Sequence, residues 1–114
     1  MYAWRFIETA ILREVNLKLE GLELSMVIVW TAYMQYKAQL RGFDLTRIEA
    51  IVKSSSERYF DTVTRRRILI GKHGNGLVMI PYEADENTIT PITIHVTTRT
   101  QILVRIKTGR FTHE

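Results

Sequence analysis

Arg99 follows His95 by four positions in the run ITIHVTTR, and the segment beyond it adds Arg105, Lys107 and Arg110 without a single acid. An imidazole titrates near neutral pH, and guanidinium and ammonium groups hold phosphate oxygens, so this stretch is the best candidate for a phosphate-binding surface. A second basic stretch, RRRILIGKHGNG, runs from Arg65 to Gly76 and has the look of a nucleotide-binding loop. That chemistry requires GxxxxGK, then Ser or Thr, then a helix whose amides cradle the phosphates. Here Gly71-Lys72 is followed by His73, and the next run, Leu77 to Pro81, contains a proline and has no helical period. The P-loop is excluded. Asn75-Gly76 reads instead as a hairpin turn, because both residue types tolerate positive φ. The three histidines, His73, His95 and His113, lack close liganding spacing and the chain has no cysteine. Neither a metal nor any other cofactor is expected, and disulfide and thiolate chemistry are excluded.

Strands must position these groups. The tail of the chain is β-rich: Tyr59-Phe60, Arg66 to Lys72, Leu77 to Tyr82 and Thr88 to Thr97 are separated by short polar turns, which predicts a four-stranded antiparallel meander. In the last run, alternation would send Ile92, Ile94 and Val96 to the core and Thr93, His95 and Thr97 to the opposite face, left polar and open if helices cover only one side. Along Arg66 to Lys72, Arg67 and His73 share one face and Arg66 and Lys72 the other. Which pair lies beside His95 depends on register. From Arg99 onward, Ile102, Leu103 and Ile106 suit a helix ended by Gly109, although Ile102, Val104 and Ile106 also alternate as in a strand; the helix is favoured.

Upstream, Val27 to Trp30 is a short β-branched strand, and Ala32 to Leu40 is a helix closed by Gly42. Asp44 caps a second helix that carries Leu45, Ile48 and Val52 and ends at Ser54-Ser55-Ser56. Before Met26, Trp4, Ile7, Ile11 and Val15 recur at helical spacing, and Val15, Leu17 and Leu19 then alternate. Residues 1–25 are therefore read as a helical extension and residues 26–114 as the domain. The fold class is α+β: a short strand, two helices, a twisted four-stranded meander and a C-terminal helix.

With 114 residues the chain makes one hydrophobic core. Sixteen Lys and Arg against twelve Asp and Glu give a net charge of +4, and all of the excess falls after residue 57, where nine cations face five acids. A basic half suits an anionic partner, RNA or DNA before membrane, and equally an ordinary solvated surface. No apolar run approaches the roughly 18 residues of a membrane span, and the opening residues lack a signal peptide's apolar core, so a cytoplasmic protein is expected.

The segments RGFDLTRIEAIVKSSSERYFDTVTRRRILIG, LVMIPYE, ITPITIHVTTRTQI and RIKTGRF, over about residues 27–112, resemble the RelE/BrnT-like superfamily of small toxins, and more closely a group of small cyanobacterial-type proteins. The resemblance implies a type II toxin with a cognate antitoxin partner, acting as a metal-independent endoribonuclease on RNA, and it allows a homodimer. A base would activate the ribose 2′-hydroxyl to attack the adjacent phosphate while cations stabilise the transition state. On this reading His95 is the general base or acid and Arg99 and Arg67 are electrostatic stabilisers. His73, Arg66, Arg105 and Arg110 are candidate phosphate contacts. The chain departs from many such relatives at Arg65, where a glycine is usual. A non-catalytic nucleic-acid- or protein-binding domain, or an oligomerising one, is the alternative.

Overall fold

A computed structural model describes residues 10–19 and 21–114. Within them the chain is an α+β fold of three helices on a mixed eight-stranded sheet. The elements are β1 (Ile11–Leu19), β2 (Leu22–Trp30), α1 (Ala32–Leu40), α2 (Leu45–Ser54), β3 (Arg58–Asp61), β4 (Arg66–His73), β5 (Gly76–Ala84), β6 (Thr88–Pro91), β7 (His95–Thr97), α3 (Arg99–Lys107) and β8 (Phe111–His113). The sheet order is β1-β2-β6-β5-β4-β3-β8, with β7 paired to the free end of β5. Among the described strands only β2 and β6 pair in parallel.

The meander, both internal helices and the C-terminal helix lie where their sequence signals put them. Asp44 Oδ1 accepts from Thr46 N at 2.9 Å and starts α2. Gly42 and Gly109 follow α1 and α3 with φ of 75° and 79°, the left-handed geometry a helix stop needs. The β4–β5 hairpin pairs His73 with Gly76, so its two-residue turn is Gly74-Asn75, one position earlier than the Asn75-Gly76 expectation. Gly74 alone takes positive φ there, at 62°, which suits a turn with glycine in its first central place.

Three expectations need correction. Ile11–Leu19 is a strand, zipped antiparallel to β2 with Met26 opposite Val15, and not a helix. The four-residue spacing of Ile11 and Val15 is even, so it fits one face of a strand as well as one face of a helix; Trp4 and Ile7 lie outside the described residues. The Thr88 to Thr97 run is two strands, because residues 92–94 leave the ladder. That break resets the alternation: Ile94 is buried, but Val96 is 70% exposed and Thr97 is buried.

The second face of the sheet, expected to be open, is covered by α3. Ile102 is fully buried against Tyr59, Ile68, Ile70 and Phe111, with Ile106, Leu77 and Met79 packed around them. On the first face, Ile48, Ile51 and Val52 of α2 and Met34 and Ala38 of α1 cover Ile28, Leu69, Val78 and Ile80. A strand covered on both sides needs an unbroken apolar run, and Ile68-Leu69-Ile70 supplies it. Gly71 lies against α2, and a Cβ there would stand 2.2 Å from Ile51 Cγ2.

Candidate nucleic-acid interface

Register decides which cations share a face. Residues opposite each other in a ladder point the same way, so His95, opposite Met79, looks out on the side that α3 covers. Arg67 is opposite Tyr82, which packs in the α1/α2 core. Arg67 and His73 are thus on the far side of the sheet from His95, while Arg66 and Lys72 share its side.

His95 begins β7, and the side chain that reaches it comes from 54 residues away. Arg41, the cap residue of α1, places Nη1 2.8 Å from His95 Nδ1 and also donates to the carbonyl of Ile94. A guanidinium can only donate, so Nδ1 is an acceptor here and the ring is neutral with its proton on Nε2. Burial lowers the His95 pKa from the ordinary value near 6.5, and the positive charges of Arg41, Lys37 and Arg105 lower it further. Among the described residues none of those three cations is ion-paired with a carboxylate. Arg105 is fixed by packing, with its guanidinium 5.5 Å from the Phe111 ring centre and Nη1 3.3 Å from Met79 Sδ.

Most of the remaining candidates have carboxylate partners. Arg99 grips Glu57 through two bonds of 2.6 and 3.1 Å, and this contact, against the opposing effect of burial, holds the Glu57 carboxyl below its usual range. Arg110 grips Asp61 through bonds of 3.1 and 3.0 Å. Burial alone would raise the Asp61 pKa, but Arg110 and the amides of Val63 and Thr64 outweigh it and lower it. Arg67 lies 3.6 Å from Glu114, and Arg66 3.6 Å from Glu83. His73 stands edge-on to the Phe43 ring at 4.7 Å, and its Nε2 is buried without a hydrogen-bond partner among the described residues. The intended set of His95, Arg99 and Arg67 is therefore not gathered at one point. What gathers is His95, Arg41, Lys37 and Arg105.

Sequence reasoning missed Arg41 and Lys37. Their i, i+4 spacing at the end of α1 is a visible signal of one basic helix edge, but nothing local ties that edge to β7. Among the described residues no helix is long and apolar enough to cross a membrane, and no His, Asp and Glu cluster could hold a metal.

The fold and this pole define a class only: an α+β domain with an acid-free cationic corner around a neutral histidine. Comparison with protein-family models, curated proteins and solved structures finds no match for the chain.

Proposed function

We propose that the chain is a RelE/BrnT-like toxin, a metal-independent endoribonuclease that holds RNA at the His95 pole and is neutralised by a protein antitoxin. The observation that carries this reading is the neutral imidazole of His95 set among Arg41, Lys37 and Arg105, none of them paired with a carboxylate among the described residues. The order of β2, two helices and the β3–β6 meander accords with a RelE-like arrangement. Three unmatched cations suit the phosphates of a strand, and a buried-edge imidazole kept neutral at pH 7 suits proton transfer.

In the free protein Arg41 occupies the Nδ1 lone pair. A phosphate that draws the guanidinium to its own oxygens frees Nδ1 to take the proton of the ribose 2′-hydroxyl. The 2′-oxygen attacks the adjacent phosphorus, the bond to the 5′-oxygen breaks, and the imidazolium returns the proton to that leaving oxygen. The products are a 2′,3′-cyclic phosphate and a 5′-hydroxyl. Arg41 and Arg105 stabilise the extra negative charge in the transition state.

A second reading rests on Arg67 and Arg99, which are taken up by Glu114 and Glu57: the same pole binds RNA or an acidic partner without cleaving it. Induced expression with RNA profiling separates the two. On the catalytic reading, His95→Ala loses about 10²- to 10⁴-fold in cleavage and no longer arrests growth, yet still binds RNA. Cleavage that persists unchanged in His95→Ala removes His95 from the mechanism. Binding without any cleavage by the parent protein leaves the second reading standing.

A further inference from the structure

We propose a second anion site, for an organic phosphate monoester such as a nucleoside monophosphate, in the cleft between the end of α2 and the strands β2, β4 and β5, with Glu114 as its built-in competitor. The cleft has a volume of about 430 Å³ and a mixed lining. Lys53, Arg58 and Arg67 contribute cations to it, and Leu24, Met26 and Ile89 contribute apolar surface. That volume falls within the about 300–1,000 Å³ typical of small-molecule sites, which pair an apolar wall with a few polar anchors. The proposal does not rest on the His95 pole, since Arg67 lies on the opposite face of the sheet.

The carboxylate of Glu114 marks where an anion goes. It accepts from the hydroxyl of Tyr82 at 3.2 and 3.3 Å and lies 3.6 Å from Arg67 Nε. Tyr82 is only 3% exposed, and its hydroxyl donates to no other group among the described residues. The anion is not its only partner, because the Arg58 guanidinium, 5.4 Å from the Tyr82 ring centre, also interacts with Tyr82, but the anion is the group that accepts the hydroxyl's hydrogen bond. The contacts are slack beside the 2.6 and 3.1 Å of Arg99 on Glu57 and the about 2.7–2.9 Å usual for charge-assisted bonds. Glu114 is a loose occupant, open to displacement.

Charge selects the ligand. Lys53 and Arg58 have no carboxylate partner among the described residues, so three cations meet one carboxylate and leave an excess of two. A phosphate monoester carries about −1.5 to −2 at pH 7, whereas a diester within an RNA strand carries one charge. Arg58 also donates to the carbonyl of Val52 at 3.2 Å, which offsets the negative end of α2 that would otherwise repel an anion.

The test is calorimetric titration of the full chain, at low salt, with nucleoside monophosphates, the matching nucleosides, a dinucleotide lacking a terminal phosphate, and inorganic phosphate. A monophosphate should bind one to one, about fivefold more tightly to Glu114→Gln and about tenfold more weakly to Arg67→Ala, both of which replace partly exposed side chains. Lys53→Ala, at an exposed helix position, repeats the loss if Arg67→Ala does not fold. No saturable binding of any monophosphate to Glu114→Gln, or equal affinity in all variants, overturns the site. Inorganic phosphate or the dinucleotide binding as tightly as a monophosphate overturns the choice of ligand.

Discussion

Arg41 and Arg99 each sit at the end of a helix, but only one is matched by an acid. Arg99 is closed onto Glu57, as Arg110 is onto the buried Asp61, and both pairs tie one end of the β3 segment to the C-terminal part of the chain. Arg41 instead points at an imidazole and a backbone carbonyl, with Lys37 and Arg105 adding charge of the same sign. A cation gripped bidentately by a carboxylate has its field largely cancelled, whereas one without an acid projects its field into solvent, where an anionic ligand can meet it. Position in the sequence does not separate them. The presence of an acid across the fold does.

The matched region should break hardest. Asp61→Ala strands Arg110 and frees the turn held by Val63 N at 2.9 Å and Thr64 N at 3.3 Å, so a loss of about 3–5 kcal/mol is expected in chemical unfolding. The pH dependence carries the same contrast. Asp61 and Glu57 have folded pKa values below their ordinary 3.8 and 4.5, so their contribution is present above those values and is lost as pH falls through the folded ones. His95 is also lowered, from 6.5. Between the folded value and 6.5 the unfolded chain takes up a proton that the folded chain refuses, so stability falls on acidification there too. His95→Gln should remove the upper step of the stability profile and Asp61→Ala should shrink the lower. An upper step that survives in His95→Gln would show that a group other than His95 produces it.

Gly71→Ala comes next, at about 1–3 kcal/mol, because the new methyl group meets Ile51 on the rigid face of α2. Thermal unfolding checks it. A neutral outcome would mean that α2 can lift from β4, and that the helix-covered face has more room than the packing indicates.

The acid-free region should respond in binding more than in stability. Arg41→Ala and Lys37→Ala are each expected to weaken RNA binding about threefold to tenfold and to lower the salt dependence by about one unit of slope, with unfolding unchanged for Lys37→Ala and about 1 kcal/mol easier for Arg41→Ala, which leaves the Ile94 carbonyl without its donor. Arg13→Ala, which removes a cation paired to Glu49 at 3.0 Å, should leave RNA binding as it was. Equal losses in all three would erase the distinction between matched and unmatched cations.

How far the sequence carried depends on the range of the interaction. Caps and stops such as Asp44, Gly42 and Gly109 were legible, since a side chain or a positive φ acts within one turn. The strand Arg66 to Lys72 was legible as a β-rich run, but the burial of Ile68 to Ile70 on both faces was not, because Ile102 of the covering helix α3 lies 32 positions beyond Ile70. His95 could be singled out by its chemistry, whereas its partners could not. Arg41 reaches it across a fold, and Arg67 was turned to the other face by a register that no local pattern sets. The broken strand at residues 92–94 failed for a different reason. Alternation assumes an unbroken ladder, and one irregular stretch puts Thr97 inside and Val96 outside.

The smallest effect tests the matched side at its least comfortable residue. Arg65 is the one described non-glycine residue with positive φ, at 59°, in the turn whose amide bonds to Asp61 O at 2.7 Å. A side chain in that conformation costs about 1–2 kcal/mol, and glycine gives back part of the gain through the freedom of its unfolded chain, so Arg65→Gly should stabilise the protein by about 0.5–1 kcal/mol. The loss of the guanidinium, 6.0 Å from the Phe60 ring centre, subtracts little at an exposed turn. RNA affinity should be unchanged, because this turn carries no part of the His95 pole. A variant that unfolds at higher temperature yet binds RNA more weakly would mean that the arginine is kept for contact at the expense of strain, and the ligand-bearing surface would then extend from the acid-free corner to the turn between β3 and β4.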